Sequence, residues 1–257
     1  MLIDMHGHIF PSNLENDKRE VLETIERYGI DRVYLSAIEL TNQTPNEREV
    51  DEWNACQYAF EAEHPDCIRS YCRVCVLNRN ARDVARRGIW DHNAAGIKLL
   101  SEVTFDSHLA DPVIEEAIAA NVPVLIHASH KAPGSPMHPN DSHSGHIAAL
   151  AARYPEAKLI MAHTGGNAYR AVKTVRPYPN VAIDISGSLL RAGTLEYTID
   201  LLGEDRVVFG SDFPYVPHAI CIGKVQEADI TDAVREKILS GNALRLFDRG
   251  WKVGDPA

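Results

Sequence analysis

The chain has 257 residues, of which 45% are hydrophobic and 24% charged, as in ordinary globular proteins. Its formal net charge of −10 argues against nucleic acid as the main partner, because phosphate binding needs a basic surface. No stretch approaches the roughly 18 uninterrupted apolar residues of a membrane span, so we expect neither membrane attachment nor a targeting peptide. Together with five irregularly spaced cysteines, these features predict a cytoplasmic protein with reduced thiols.

Eight short apolar runs recur along the chain and are predicted to form β-strands. They lie at residues 2–6, 32–38, 68–77, 96–100, 122–128, 157–163, 181–186 and 206–212. Helical spacing is found between them at 18–28, 46–63, 111–121, 143–154 and 194–202, and again in a closing segment at 238–247. This alternation indicates a single (β/α)8 TIM barrel over residues 1–257. A doubly wound open sheet would usually have fewer strands and a glycine-rich turn after the first one.

The first run carries ionisable side chains at alternate positions, namely Asp4, His6 and His8. Residues two apart on a strand share one face, so we expect these three to project together. In contrast, the C-x-x-C pattern of Cys72 and Cys75 falls within the third run, where residues three apart point to opposite faces. We interpret these two cysteines as buried small side chains and not as a metal or redox pair.

Further candidate metal ligands end the later runs. His127 ends the fifth run, His163 the sixth and Asp212 the eighth, while Lys98 lies in the fourth. The C-terminal strand ends of a TIM barrel form its active site, so these side chains should meet at the mouth of the barrel. Imidazole and carboxylate groups bind zinc, iron, manganese or nickel. The sequence therefore predicts a divalent-metal centre.

Four segments resemble the amidohydrolase superfamily, and more narrowly its amidohydrolase-related branch of TIM-barrel metal-dependent hydrolases and decarboxylases. They are Asp-x-His-x-His at 4–8, Pro-Val-Leu-Ile-His at 123–127, Leu-Ile-Met-Ala-His-Thr-Gly-Gly at 159–166 and Val-Val-Phe-Gly-Ser-Asp-Phe-Pro at 207–214. The resemblance covers essentially the whole chain.

The resemblance implies a role for each residue of the centre. His6, His8, His127 and Asp212 would ligate one divalent ion, with zinc as the expected metal. Asp212 would also act as the general base toward a metal-activated water, and His163 would stand beside that water. A carbamylated Lys98 that bridges a second metal is the less favoured arrangement. Asp4 is either a hydrogen-bond acceptor behind the ligands or a structural anchor.

Three residues are candidates for binding substrate: Lys98, Arg79 and His130. A cation among them would suit a carboxylate-bearing small molecule. His130 lies in a histidine-rich stretch at 129–146, which is either a lid over the site or a solvated loop whose Ser144 or Asp141 caps the next helix. A homo-oligomer is a further expectation, since barrels of this size often dimerise through their outer helices.

These features predict a metal-dependent hydrolase of an ester, lactone or amide. The first alternative is a non-oxidative decarboxylase of an aromatic or unsaturated acid, which the same branch contains. A TatD-like phosphodiesterase or nuclease is less favoured, because those barrels typically carry a glutamate where this chain has Lys98. A non-catalytic barrel that binds zinc for structure is the remaining alternative. An available position for water weakens it, because structural zinc sites usually close all four positions with protein ligands.

Overall fold

Eight parallel strands form the centre of the protein. The computed structural model describes residues 1–39, 41–130, 140–187 and 191–255. The strands are β1 Ile3–Ile9, β2 Arg32–Ala37, β3 Ile68–Arg73, β4 Gly96–Leu99, β5 Val124–Ile126, β6 Leu159–Met161, β7 Val181–Asp184 and β8 Val207–Val208. Each pairs with the next in sequence order, and a bridge between Gly7 and Phe213 returns the chain from beyond β8 to β1. The predicted TIM barrel is confirmed.

Helices follow the strands and cover the barrel from outside. They are α1 Leu14–Tyr28, α2 Glu47–Glu63, α3 Ala81–Trp90, α4 Asp111–Ala120, α5 Ser144–Arg153, α6 Ala168–Val175, α7 Thr194–Leu202, α8 His218–Gln226, α9 Asp232–Glu236 and α10 Asn242–Phe247. The five predicted helices are present, with α1 beginning four residues earlier than predicted and the others shifted by at most one residue at either end, whereas α3, α6, α8 and α9 were not predicted. The expected closing helix is a π-helical turn, Lys237–Gly241, that continues into α10.

Both faces of the strands are buried, as a parallel sheet covered by helices requires. One apolar cluster fills the barrel interior and includes Met5, Tyr71, Leu125 and Ile160. Two further apolar clusters, one of them much larger, lie between the strands and the surrounding helices. Polar side chains on the inner face therefore gather above this interior cluster, where the strands end.

The first strand contains an irregularity that the sequence does not reveal. The four residues of β1 from Asp4 to Gly7 lie opposite only three residues of β2, Val33 to Leu35. Such a bulge breaks the strict alternation of side chains between the two faces. The carboxylate of Asp4 consequently contacts His218 of α8, while His6 contacts Lys98 of β4. The expectation that Asp4 shares a face with His6 and His8 is therefore wrong.

Cys72 and Cys75 lie on either side of the end of β3. Strand β3 ends at Arg73, so Cys75 lies in the turn beyond it and the argument from opposite strand faces does not apply to it. Both Cys72 and Cys75 are nevertheless buried free thiols, as the interpretation of them as small core side chains requires.

Candidate metal centre

Three predicted ligands meet at the C-terminal end of the barrel. The Nε2 atoms of His6 and His8 lie 3.1 Å apart. Asp212 Oδ1 lies 3.3 Å from the Nε2 atom of His8 and 3.6 Å from that of His6. Two nitrogens bound to one tetrahedral zinc ion at about 2.0–2.1 Å would be roughly 3.3 Å apart, so the spacing suits a shared cation.

The opposite nitrogen of each ring is held by an acceptor. His6 Nδ1 lies 2.7 Å from Asp184 Oδ2, and His8 Nδ1 lies 2.9 Å from the hydroxyl and 3.3 Å from the carbonyl of Ser36. Such partners place the proton on Nδ1 and leave the electron pair on Nε2. Burial, followed by the nearby Lys98 ammonium, lowers the pKa of both histidines well below its usual value. Two neutral rings thus direct electron pairs toward Asp212, and this donor set fits a divalent metal.

Asp212 is held in place by its own backbone. Its φ of 68° lies in the left-handed region, and its N–H donates to the carbonyl of His6 at 2.7 Å. Tyr215 N–H donates in turn to the Asp212 carbonyl at 2.9 Å. A non-glycine residue keeps such a conformation only where the surrounding structure enforces it. The side chain therefore approaches β1 from the end of β8 in a fixed direction.

His163 lies beside this group and connects it with His127. Its Nδ1 atom is 2.9 Å from Ser186 Oγ and 3.8 Å from Asp212 Oδ2. Its Nε2 atom is 3.1 Å from Nδ1 of His127. Burial lowers the pKa of His163 to about 3, so the ring is neutral at neutral pH. Within the described residues, His6, His8 and Asp212 form one compact donor group and His6, His163 and Asp184 another, whereas His127 approaches through His163.

Lys98 is fully buried on β4, and its Nζ atom lies 2.7 Å from Nε2 of His6. Burial lowers the pKa of Lys98 to about 8, so its amino group is still mostly protonated at neutral pH. The electron pair of His6 Nε2 cannot accept from Lys98 and bind a cation at once. A metal at His6 therefore requires the Lys98 ammonium to turn away or be modified.

The other predicted substrate contacts lie farther from this group. Arg79 is exposed in the turn between β3 and α3. His130 is partly buried, with Nε2 3.0 Å from Ser144 Oγ, and its ring stacks on His143. Residues 131–139 of the histidine-rich stretch lie outside the described residues, so its lid role stays a prediction. The cap of α5 is His143, which accepts from Gly145 N–H, and the expectation of Ser144 or Asp141 as the cap is wrong.

A small cavity opens beside the predicted ligands. Its volume is about 160 Å³, and its walls are His8, Ile38, Gln43, Leu100, Ser101, His127, Asp212 and Tyr215. Leu100, Ser101 and Tyr215 come from loops after the strands, where sequence periodicity gives no signal. The cavity combines apolar walls with a few polar groups, as small-molecule sites do.

Asp4 acts as a structural anchor. Its carboxylate accepts from the backbone N–H groups of His6 and Ser211, and from the side chains of Ser211 and His218. These bonds join β1 to the segment after β8 and to α8, and both Asp4 and His218 have fully buried side chains. Of the two roles left open for Asp4, the anchor is the one that its contacts favour.

Comparisons with known proteins identify the family of the chain and structures that share its fold. The Amidohydrolase family profile matches residues 3–249. The solved structure of 2,6-dihydroxybenzoate decarboxylase from Rhizobium is similar over 96% of this chain and 98% of its own, with 19% identity and a TM-score of 0.76. A manganese-bound dihydroxybenzoic acid decarboxylase from a Polaromonas species is similar over 97% of each chain, with 17% identity and a TM-score of 0.78.

A third similar structure, 4-oxalomesaconate hydratase from Rhodopseudomonas palustris, covers 97% of this chain and 96% of its own, with 15% identity and a TM-score of 0.71. At these identities the structural likeness shows the shared fold alone. No curated protein matches the sequence. Among the described helices, none combines the length and apolar character needed to span a bilayer.

Proposed function

Because the chain belongs to the Amidohydrolase family, we propose that it is a metal-dependent hydrolase that cleaves an ester, lactone or amide bond of a small carboxylate-bearing molecule. One observation carries the proposal: the two oxygens of Asp212 serve different neighbours. Oδ1 faces Nε2 of His8 at 3.3 Å, and Oδ2 faces Nδ1 of His163 at 3.8 Å. One carboxylate can therefore take part in holding a cation and also accept a proton.

The residues that would hold one divalent ion are His6, His8, His127 and Asp212, and we propose zinc. Such an ion would polarise the substrate carbonyl and lower the pKa of a water molecule to about 7. The similar Polaromonas decarboxylase contains manganese, so the test of metal identity includes both ions.

The protein's own groups would manage the proton. Asp212 is the proposed general base, because its carboxylate lies within the ligand group and is partly open to the cavity. His163 is neutral at neutral pH, with its pKa lowered to about 3 by burial, so it would orient the reacting groups as a hydrogen-bond partner and not as a cation. Ser186 and Asp184 hold His163 by its ring and its backbone N–H.

Lys98 is the proposed source of positive charge for a substrate carboxylate. It lies in direct contact with His6, whereas Arg79 is exposed and His130 bonds to the start of α5. The cavity volume of about 160 Å³ suits a small substrate. Arg79 and His130 are the proposed contacts for any part of the substrate that extends out of the cavity.

Decarboxylation of an aromatic or unsaturated acid is the second candidate function. The buried Lys98 ammonium beside the ligand group favours it, since a carboxylate placed there would be bound by opposite charge. Two of the similar structures described above are decarboxylases that act on hydroxylated benzoic acids.

A substrate screen separates the two candidates. Lactones, amides, esters and aromatic acids are each incubated with the zinc-loaded or manganese-loaded protein, while acid release and carbon dioxide are followed in parallel. Hydrolysis predicts acid release without carbon dioxide. Carbon dioxide from an aromatic acid, with no turnover of lactones, esters or amides, would replace the first proposal with the second.

A further inference from the structure

Asp141, which does not cap α5, is a buried carboxylate beside one of the proposed ligands. Its Oδ1 atom lies 3.6 Å from Nε2 of His127, and its side chain is only 6% exposed. The same oxygen accepts a hydrogen bond of 2.7 Å from the hydroxyl of Ser101. The 3.6 Å separation is longer than a hydrogen bond and within range of a charge interaction. Asp141 is therefore held by the protein in a position that faces an imidazole.

The residues next to Asp141 attach to the same part of the molecule. Asn140 donates from its side chain to the carbonyl of Glu102 at 3.0 Å. The hydroxyl of Ser142 accepts from the backbone N–H of Phe105 at 2.9 Å. Three consecutive residues, 140–142, thus each bond to the connection between β4 and α4. This arrangement leaves the Asp141 carboxylate little freedom of position.

The connection after β4 is itself fixed from β3. The Glu102 carboxylate accepts hydrogen bonds from both terminal nitrogens of Arg73, at 3.2 and 3.1 Å, and from the backbone N–H of Val76 at 3.2 Å. Arg73 and Glu102 are both buried, and a bidentate pair of this kind has a defined geometry. Asp141 consequently rests on a rigid support that extends from the end of β3.

The orientation of His127 determines which of its ring nitrogens faces Asp141. Its Nδ1 atom faces the site, 3.1 Å from His163 Nε2, whereas its Nε2 atom faces Asp141. An ionised carboxylate only accepts, so it favours a proton on Nε2 and leaves the electron pair on Nδ1. The pair of His6 and Asp184 follows the same logic with the two ring nitrogens exchanged.

We propose that Asp141 is a positioning residue for His127. It holds the Nε2 proton and directs Nδ1 toward the divalent metal, and Ser101 fixes the carboxylate. The inference rests on the proposed metal centre but makes a separate claim, namely that a residue of the β5–α5 connection sets the metal affinity through one histidine.

Metal affinity, measured by competition between the full-length protein and a chromophoric chelator for zinc, tests this role without relying on turnover. Asp141→Asn keeps the size of the side chain and removes its charge, and should weaken zinc binding about 10- to 100-fold. Ser101→Ala should weaken it in the same direction by a smaller factor. Asp106→Asn makes the same charge change at an exposed position on the neighbouring connection and should leave the affinity unchanged.

A double-mutant cycle distinguishes positioning from a general effect on the fold. In a His127→Ala background, Asp141→Asn should alter the zinc affinity by less than about twofold, because the ring on which it acts is gone. The absorption bands of bound cobalt should also differ between Asp141→Asn and the unaltered protein. If Asp141→Asn does not fold, Ser101→Ala carries both comparisons.

Two outcomes would overturn the role of Asp141. One is an unchanged zinc affinity in a folded Asp141→Asn protein, and the other is an equal loss with and without His127. An unaltered protein that binds neither zinc nor manganese would instead refute the proposed metal centre, and the inference with it. The measurement on the unaltered protein therefore separates the two failures.

Discussion

His6 and Asp184 lie 2.7 Å apart, Nδ1 to Oδ2, with both side chains fully buried. The same carboxylate accepts the backbone N–H of His163 at 2.8 Å through its other oxygen. Asp184 therefore fixes two histidines of the site, one by its ring and one by its main chain. A carboxylate that bonds to a histidine in this way sets the orientation and the proton position of the ring, so Asp184 belongs to the centre together with His6.

Replacement of Asp184 by Asn should lower zinc affinity about 10- to 100-fold, because a neutral amide is a weaker acceptor for the Nδ1 proton of His6. Chelator competition measures the loss. Asp200→Asn, an exposed position on α7, is the matched control and should bind as the unaltered protein does. Equal affinities for all three proteins would contradict the role of Asp184.

Asp212→Asn should reduce kcat by about 10²-fold or more, since the amide cannot accept a proton as the carboxylate does. The substrate found in the screen is used, and circular dichroism checks that the fold is intact. A folded Asp212→Asn protein with full activity would show that the general base lies elsewhere.

Protein purified without chelators should contain about one divalent ion per chain, because three donor groups already converge in the structure. Elemental analysis by mass spectrometry gives both the identity and the ratio of the metal. Extraction of the ion should abolish turnover, and its return should restore it. An active protein free of metal would refute the mechanism.

Stability should fall on acidification, in part through His143. Burial, followed by the charges of His146 and Arg170, lowers the pKa of His143 in the folded protein, while Asp106 opposes this change. The unfolded chain then binds the proton more readily, so the contribution is complete above pH about 6.5 and is lost as pH falls through the lower folded-state value. Protonation also removes the acceptor for Gly145 N–H.

The variant His143→Asn isolates this contribution, because asparagine can still cap a helix but does not titrate. Urea unfolding between pH 7 and pH 5 should show a smaller decrease in the free energy of unfolding for this variant. The same exchange at exposed His92 should keep the slope of the unaltered protein. Equal slopes for His143→Asn and the unaltered protein would contradict the assignment.

Gly210→Ala should destabilise the protein, because the added methyl group would crowd His6 and Asp184. A Cβ atom at Gly210 would lie 2.9 Å from Cβ of His6 and 3.4 Å from Cβ of Asp184. Overpacking of this kind costs about 1–3 kcal/mol, which denaturant unfolding can resolve. Gly223→Ala on α8, where the added atom meets nothing within 4 Å, should be neutral or slightly stabilising. Similar stabilities for the two variants would contradict the close approach at Gly210.

The fold was predictable because each strand is a run of apolar residues that must be buried on both faces. The convergence of His6, His8 and Asp212 was predictable for a related reason, since an ionisable side chain at the end of such a run stands out. The unpredicted helices α3 and α6 show the opposite case. Each buries residues at helical spacing, but these residues are mostly Ala, Gly and Val, so the apolar face stands out less than an apolar strand does.

The remaining features of the site depend on contacts between distant parts of the chain. The direction of Asp4 follows from a bulge in β1, which has no sequence signature here. Asp141 is one acid in a polar stretch, and its position beside His127 follows from bonds to residues 101 and 102. Side-chain spacing within one strand carries no information about such neighbours.

The contact between β1 and the segment after β8 affects how the proposed metal centre forms. His6 and His8 belong to the first strand, whereas Asp212 follows the last, and its N–H is bonded to the carbonyl of His6. A growing chain thus carries both proposed histidine ligands on its first strand but gains the carboxylate only when the barrel closes on itself. Tight metal binding should therefore report completion of the barrel, and the bound ion should in turn hold its two ends together.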